Sequence, residues 1–416
     1  MPRSSVQALV AFSTCMAYFG TVQAATFSVD NLNDSGAGTL RAAIVSANAN
    51  PGPDTIEFNA GLSGTIVLSS DLPELTGDAE ITGPGAEIIT ISGQSLYRPF
   101  FVSSGTTVTL TGLTIANGQS SLIGSGGTGG GIHNEGDLTV TDCVLSNNHA
   151  EFDGGAIRNF GGSLVVSQST LSGNTVDESG VGAGISNAGA GTVSIIESTF
   201  TANTGAYYGG AVDNEGTVTI ARSTLSANGA LIGGAVANVG TLSIRNSTLS
   251  GNDATEEGGG IDNFLGEANV EFSTLTENSA VSGGGVNNAA CFSIKHSLVA
   301  NSAAGGSCGD AGGTLLALGV NFATDPSCAG VFQSTAGAHN LGALADTGGP
   351  TLTQALLSGR GAIDVALDCT LSDSAGSLCE TIYHDGFEGA TPVTQDQRGQ
   401  SRPAGAECDS GAFESE

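Results

Sequence analysis

Short apolar–polar alternations recur along most of the chain. They read LTV at 138–140, LVV at 164–166, VSI at 193–195, VTI at 218–220, LSI at 242–244 and FSI at 292–294, with NVEF at 269–272 the loosest copy. Alternation with period two sends successive side chains to opposite faces, the pattern of a half-buried strand. In VTI, Val218 and Ile220 face inward and Thr219 outward. No 3.6-residue period fits these stretches.

Two boxes keep pace with the alternation. The first reads GGGIHN at 129–134, GGAIRN at 154–159, GAGISN at 182–187, GGAVDN at 209–214, GGAVAN at 233–238, GGGIDN at 258–263 and GGGVNN at 283–288. Its Ile/Val advances by 25, 28, 27, 24, 25 and 25 residues. The second reads STLSGN at 169–174, STFTAN at 198–203, STLSAN at 223–228, STLSGN at 247–252 and STLTEN at 273–278, with CVLSNN at 143–148 and HSLVAN at 296–301 as outer copies.

Each repeat thus predicts three short strands separated by Gly, Asn and Ser turns. Such pieces bury a core only when the next copy stacks on them in parallel, about 4.8 Å away. The expected fold is all-β: a three-faced parallel β-helix, a solenoid whose seven coils would run roughly 34 Å. Open solenoid ends need covers. At the N-terminal end, Thr26–Val29 reads as a strand and Leu40–Ala47 as a short helix N-capped by Thr39. Leu40, Ala43, Ile44 and Ala47 share one helical face, suited to lid the first coil. Strands at Thr55–Phe58, Thr65–Leu68 and Ile88–Ile91 begin the stacking. The period is lost after about residue 303. The expected division is 1–25 signal peptide, 26–100 cap and irregular coils, 101–303 regular repeats and 304–416 an irregular, disulfide-stapled C-terminal region.

The first 25 residues have their own pattern. Arg3 precedes a largely apolar Val6–Val22, and Val22-Gln23-Ala24 places small residues where signal peptidase cuts. This predicts a secretory signal cleaved after Ala24 or Ala25. The competing membrane anchor fits less well, because the stretch is short and broken by Ser13, Thr14 and Gly20. Cys15 lacks a lipidation context, and no later segment is apolar enough to span a membrane. The expected location is extracellular or on the outer cell surface. Seven cysteines remain after Cys15. Cys308 with Cys328, and Cys369 with Cys379 or Cys408, are the expected disulfide partners, with Cys143 and Cys291 buried and free. Sequence does not fix the connectivity.

Composition sharpens the exclusions. Glycine occurs 65 times in 416 residues, about 16% against a typical ~7%. No Gly-X-Y period accompanies it, so collagen is excluded. Hydrophobic residues make up 39%, which argues against disorder. Forty acids face ten bases, for a formal charge of −30, and Lys295 is the single lysine. A nucleic-acid partner needs basic stripes and is excluded. The repeat gives glycine a role, since the GGxI corners call for positive φ or close backbone approach.

Asn134, Asn159, Asn187, Asn214, Asn238, Asn263 and Asn288 recur at matching corners. Stacked amides there would form a structural hydrogen-bonded ladder; ligand binding is the alternative. The outward column of the box reads His133, Arg158, Ser186, Asp213, Ala237, Asp262 and Asn287. Asp213 and Asp262 stand two rungs apart, about 9.6 Å, near the upper end of the ~6.5–9.5 Å spacing of inverting glycosidases. Glu215 shares their outer face. These three are the catalytic candidates; the competing expectation is a solvated face whose acids keep a glycine-rich solenoid soluble. Arg158, Tyr207 and Tyr208 are candidate ligand contacts, with the tyrosines able to stack on sugar or to pack into a turn. Loop acids Glu151, Asp153, Asp177, Glu178, Glu256 and Glu257 could supply oxygen ligands to Ca²⁺. The GGxGxD calcium repeat is absent, no Cys/His spacing suggests zinc, and no metal site is assigned. No phosphate-binding glycine loop opens a helix.

The GG(A/G)(I/V)xN box alternating with STLSxN resembles the repeats of chlamydial polymorphic outer membrane proteins and of bacterial right-handed parallel β-helix proteins. The start, TFSVDNLNDSGAGTLRAAIVSANANPGPDTIEF, resembles a CSLREA domain, although Gly38-Thr39-Leu40-Arg41-Ala42-Ala43 lacks its Cys and Glu. The end, LGALADTGGPTLTQALLSGRGAID at 341–364 with DQRGQSRPAGAECDSGAFE at 396–414, resembles a choice-of-anchor Q domain, with 365–395 as an insertion. Together these resemblances imply an exported bacterial surface or secreted protein. They do not imply one activity, because the fold hosts several. The expected function is non-catalytic: an adhesin contacting a glycan, host or matrix surface. The alternative is a secreted polysaccharide lyase or glycoside hydrolase. Scarce Lys and Arg argue against acidic glycans as its substrate.

Overall fold

The computed structural model describes residues 23–120, 126–328, 330–333, 341–355 and 395–400. It is a parallel β-solenoid of about 12 turns, built on two 12-stranded sheets and one 9-stranded sheet. The expected signal peptide up to residue 22, and Cys369, Cys379 and Cys408, lie outside the described residues.

The alternating runs form the first long sheet, from Thr26–Val29 to Thr314–Leu318. The STLSxN strands form the second, which we call the serine sheet, and the GGxI boxes form the 9-stranded box sheet. Register is residue for residue. Val193 pairs with Val218 and then Leu242, Phe200 with Leu225 and then Leu249, and Ile185 with Val212 and then Val236. These inward columns are almost fully buried. Full burial of each Val, Leu, Ile or Phe contributes roughly 1.5–3 kcal/mol, which is how three-residue strands acquire a shared core.

Corners explain the turn residues. Three corner positions recur in the left-handed conformation from coil to coil. Between the alternating and serine sheets they include Gln168, Glu197, Arg222 and Asn246, with φ of 46–51°. After the serine sheet they include Gly173, Ala202, Ala227 and Gly251. Only the third corner, at the start of the box, is glycine in every copy. At Gly209 (φ 65°) an added Cβ would lie 2.2 Å from the carbonyl oxygen of Val212. Close approach, and not positive φ alone, therefore demands glycine there.

Buried side-chain ladders run up two corners. From Asn134 to Asn288, each box asparagine donates its amide to the Oδ1 of the next at 2.7–2.9 Å. A second ladder links Asn148, Asn174, Asn203, Asn228, Asn252 and Asn278 at 2.8–3.0 Å. Each of these amides also bonds a main-chain carbonyl, as Asn203 bonds Leu171. The ladders thereby give these buried amides partners at the corners.

The helix spans Leu40–Ala49, with the Thr39 hydroxyl accepting from the Ala42 amide at 3.2 Å. Leu40, Ala43, Ile44 and Ala47 are buried against the first strands. Arg41, on the opposite side, ties the cap together. It pairs with Asp34 at 2.7 Å and donates to the Ser70 and Asp71 carbonyls.

Stacking continues past residue 303. Val286 pairs with Cys308, Cys291 with Thr314, and Leu298 with Phe322. Cys308 and Cys328 form a disulfide, and Cys143 is free and buried. Cys291, expected to be free, is also disulfide-bonded. Alternation explains the correction: Phe292 faces the core, so Cys291 is turned outward and half-buried. Its partner lies outside the described residues. Segments 351–354 and 395–398 then return to the outer face of the serine sheet. The Gln397 amide donates to the Ser223 carbonyl at 3.1 Å, and its oxygen accepts from Thr248 at 2.8 Å.

Candidate functional site

The outward column of the box sheet runs Phe101, His133, Arg158, Ser186, Asp213, Ala237, Asp262 and Asn287 in continuous register. For its acids, the sequence allows a catalytic cluster or a solvated face. In the fold Ser186 is fully buried, Asp213 is 7% exposed and Asp262 3%. The cause lies in the segments before each box. They form two further short ladders, Gln119–Ser120 with His149–Ala150 and Thr175–Val176, and Ala206–Tyr208 with Gly229–Ile232 and Asp253–Glu257. The glycine corner folds the chain back on itself there. At Gly258, an added Cβ would lie 2.6 Å from the Cβ of Asp262. The residues just ahead of the corner consequently roof the column.

Asp213 and Asp262 share the column with Ala237 between them. Asp262 Oδ1 accepts from the Asn287 amide at 2.8 Å, and the same amide reaches Glu257 at 3.1 Å. Burial raises the Asp262 pKa to about 6, with the Asn287 bond lowering it in part. Asp213 has no hydrogen-bond partner among the described residues. Burial, reinforced by Glu215 and Asp153, pushes its pKa to about 8, against the pull of Arg158. At pH 7 Asp213 is therefore a neutral acid and Asp262 mainly a carboxylate. Glu215 sits at the exposed turn after the strand.

Arg158 is engaged by its neighbours. It bonds Asp153 at 2.5 Å and Ser186 at 2.9 Å, and its guanidinium lies 5.5 Å from the Phe160 ring centre. His133 stacks on Phe101 at 4.8 Å, and burial followed by the nearby Arg98 and Arg158 charges lowers its pKa to about 4. Tyr207 and Tyr208 meet edge to face at 4.7 Å, and both rings are partly exposed. The Tyr208 hydroxyl pKa is raised by burial, then by Tyr207 and the acids Asp262, Asp213 and Glu256. Tyr207 borders an open cleft of about 580 Å³ lined also by Glu178, Thr204, Leu231 and Asp253.

The structure thus brings Asp213, Asp262 and Tyr208 into one electrostatic neighbourhood and leaves Glu215 at its rim. Asn287, Glu257 and Asp153 complete that neighbourhood. Asn287 was readable as the next member of the column, but the roles of Glu257 and Asp153 depend on the roof. Among the described residues, no group of three or more His, Cys, Asp or Glu side chains is arranged to hold a metal ion, and no helix is long and apolar enough to cross a membrane.

No protein-family model matches the chain, and no curated protein matches it. Among solved structures it is similar to the PL6 family alginate lyase AlyGC, with TM-score 0.36 and 13% identity, covering 79% of this chain and 55% of that one. It is also similar to a mannuronic acid specific polysaccharide family 6 lyase from human gut microbiota, with TM-score 0.33 and 9% identity, covering 72% and 86%. The chain spans about half the length of AlyGC. Such distant likenesses concern the course of a β-helix and carry no argument about chemistry.

Proposed function

We propose that this is an exported β-helix protein that contacts a glycan or a cell or matrix surface without transforming it. The observation that carries this reading is the closure of the acid pair. Asp213 and Asp262 are 7% and 3% exposed, so a sugar cannot reach both without lifting the roof. General acid–base chemistry needs its groups within hydrogen-bond reach of the substrate. Meanwhile Tyr207, Tyr208, Phe160 and Phe264 present exposed ring surface. Aromatic faces supply contact area at low entropic cost. The sequence resemblances to polymorphic outer membrane protein repeats, CSLREA and choice-of-anchor Q domains support a surface or secreted setting.

A polysaccharide lyase or hydrolase is the second reading. It is favoured by one observation, two carboxyls in one column two rungs apart, with burial raising Asp213 further (to about 8) than Asp262 (to about 6). Incubation with a polysaccharide panel, with and without Ca²⁺, separates the two. Binding that weakens in Tyr207→Ala or Tyr208→Ala, without new reducing ends or unsaturated products, supports the contact role. Turnover abolished by Asp213→Asn or Asp262→Asn overturns it.

A further inference from the structure

Asp54 opens the second strand of the cap and is only 2% exposed. Its Oδ1 accepts two hydrogen bonds, from the Asn50 amide at 2.7 Å and from the main-chain nitrogen of Ala25 at 2.8 Å. Its Oδ2 is buried and has no partner among the described residues. A buried carboxylate served only by neutral donors, with one oxygen left bare, is costly to hold. One further charge would complete the arrangement, and the nitrogen already in contact is where it would arise.

We infer that Asp54 is the receptor for the α-ammonium of a mature chain beginning at Ala25. Hydrolysis of the Ala24–Ala25 bond adds water across it: the hydroxyl goes to the Ala24 carbonyl carbon, giving a carboxylate on the released segment. The Ala25 nitrogen takes up protons and becomes an ammonium with three N–H donors and a full positive charge. It then supplies the donor that Asp54 Oδ2 lacks, and a part-buried amide contact becomes an ion pair.

The same geometry selects between the two cleavage points that the sequence allows. The Ala25 carbonyl accepts from the Thr55 amide at 2.8 Å, and Thr26 pairs with Thr55 in register. Cutting after Ala25 would remove that carbonyl together with the nitrogen that meets Asp54. Cutting after Ala24 keeps both. Gln23 and Ala24 are exposed, and among the described residues the hydrogen bond they make to the cap is from Asn50 to the Gln23 carbonyl, at 2.8 Å. Their loss costs the cap little.

The test begins with the intact mass and N-terminal sequence of protein recovered from exporting cells, expected to start at Ala25. Full-length mature protein starting at Ala25 is then compared with the form carrying Ala24 as one extra residue, each with and without Asp54→Asn. The extension turns the ammonium into an amide. It should lower the melting temperature by about 2 °C or more, and Asp54→Asn should cost the Ala25-start form more than the extended form. A chain starting at Thr26, or an equal Asp54→Asn loss in both forms, overturns the assignment. If Asp54→Asn prevents folding altogether, the two wild-type forms decide alone, and equal melting temperatures overturn it.

Discussion

Asp213 and Asp262 stand in one column two rungs apart, yet they hold different protonation states at pH 7. Asp262 is bonded by Asn287 and titrates at about 6; Asp213 is unbonded and titrates at about 8. In an unfolded chain both would titrate near ~3.9. Between pH 4 and 8 the folded state therefore holds more protons at Asp213 than the unfolded state does. Stability contributed by the neutral acid is complete below pH 4 and is lost as pH rises toward 8.

Replacing Asp213 with Asn removes that slope. Asp213→Asn should leave stability near pH 4 almost unchanged and raise it at pH 8, by up to about 5 kcal/mol from the size of the shift. His133 works in the opposite sense. With a folded pKa of about 4, its contribution is lost as pH falls from 6.5 toward 4. Urea denaturation of wild type and variant at pH 5 and pH 8 checks the prediction; parallel losses with rising pH would refute it.

Glycine's abundance has two physical origins, and they separate experimentally. At Gly251 (φ 64°) an added Cβ meets nothing within 4 Å, and Ala227 occupies the equivalent corner one coil earlier with φ 53°. Gly251→Ala should cost only the left-handed backbone term, about 1–2 kcal/mol. Gly209→Ala adds a clash with the Val212 carbonyl and should cost about 3 kcal/mol or more. Thermal melts of the two variants rank them directly.

The second asparagine ladder makes the strongest demand on a single side chain. Asn203 Oδ1 accepts from both the amide and the main-chain nitrogen of Asn174, while its own amide reaches Asn228 and the Leu171 carbonyl. Asn203→Ala strands several buried polar groups at about 1–3 kcal/mol each, so a loss of at least ~3 kcal/mol is expected. Asn147, exposed at a neighbouring corner, is the control, and Asn147→Ala should cost about 1 kcal/mol or less. Amide exchange should show the Asn203→Ala loss centred on the coils joined through 174, 203 and 228.

Fold and site differ in how far local sequence determines them. Val218 and Ile220 alternate with Thr219 in a pattern that only a strand satisfies, and the Leu40–Ala47 face marks the helical lid. The corner pattern was only partly legible. Glu197, Arg222 and Asn246 take positive φ without glycine, because neighbouring coils fix the path. The roof over Asp213 had no local signal. Segments such as AYY at 206–208 and DATEE at 253–257 share no period and pair only because the coils beside them are already stacked. Outward alternation alone suggests a wet position, yet Asp213 and Asp262 face outward and are buried beneath the roof. Cys291 shows the converse: alternation correctly turns it away from Phe292, but its disulfide bond carries no local signal.

Gln397 carries the contact between the C-terminal segment and the solenoid. It is fully buried, donates to Ser223, Thr224, Thr351 and Leu352 and accepts from Thr248. Beside it the Asp396–Arg398 ion pair is buried at 2.7 Å. Asp396, Gln397 and Arg398 lie outside the strand ladders, which pair coil by coil without them, as Thr224 pairs with Thr248. Gln397→Ala should therefore detach 395–400 and leave the β-helix standing. Limited proteolysis should cut the variant near residue 395 at protease levels that spare the wild type, while far-ultraviolet circular dichroism stays unchanged. Loss of the β signal together with that cleavage would mean the segment supports the solenoid itself, and would refute the separation.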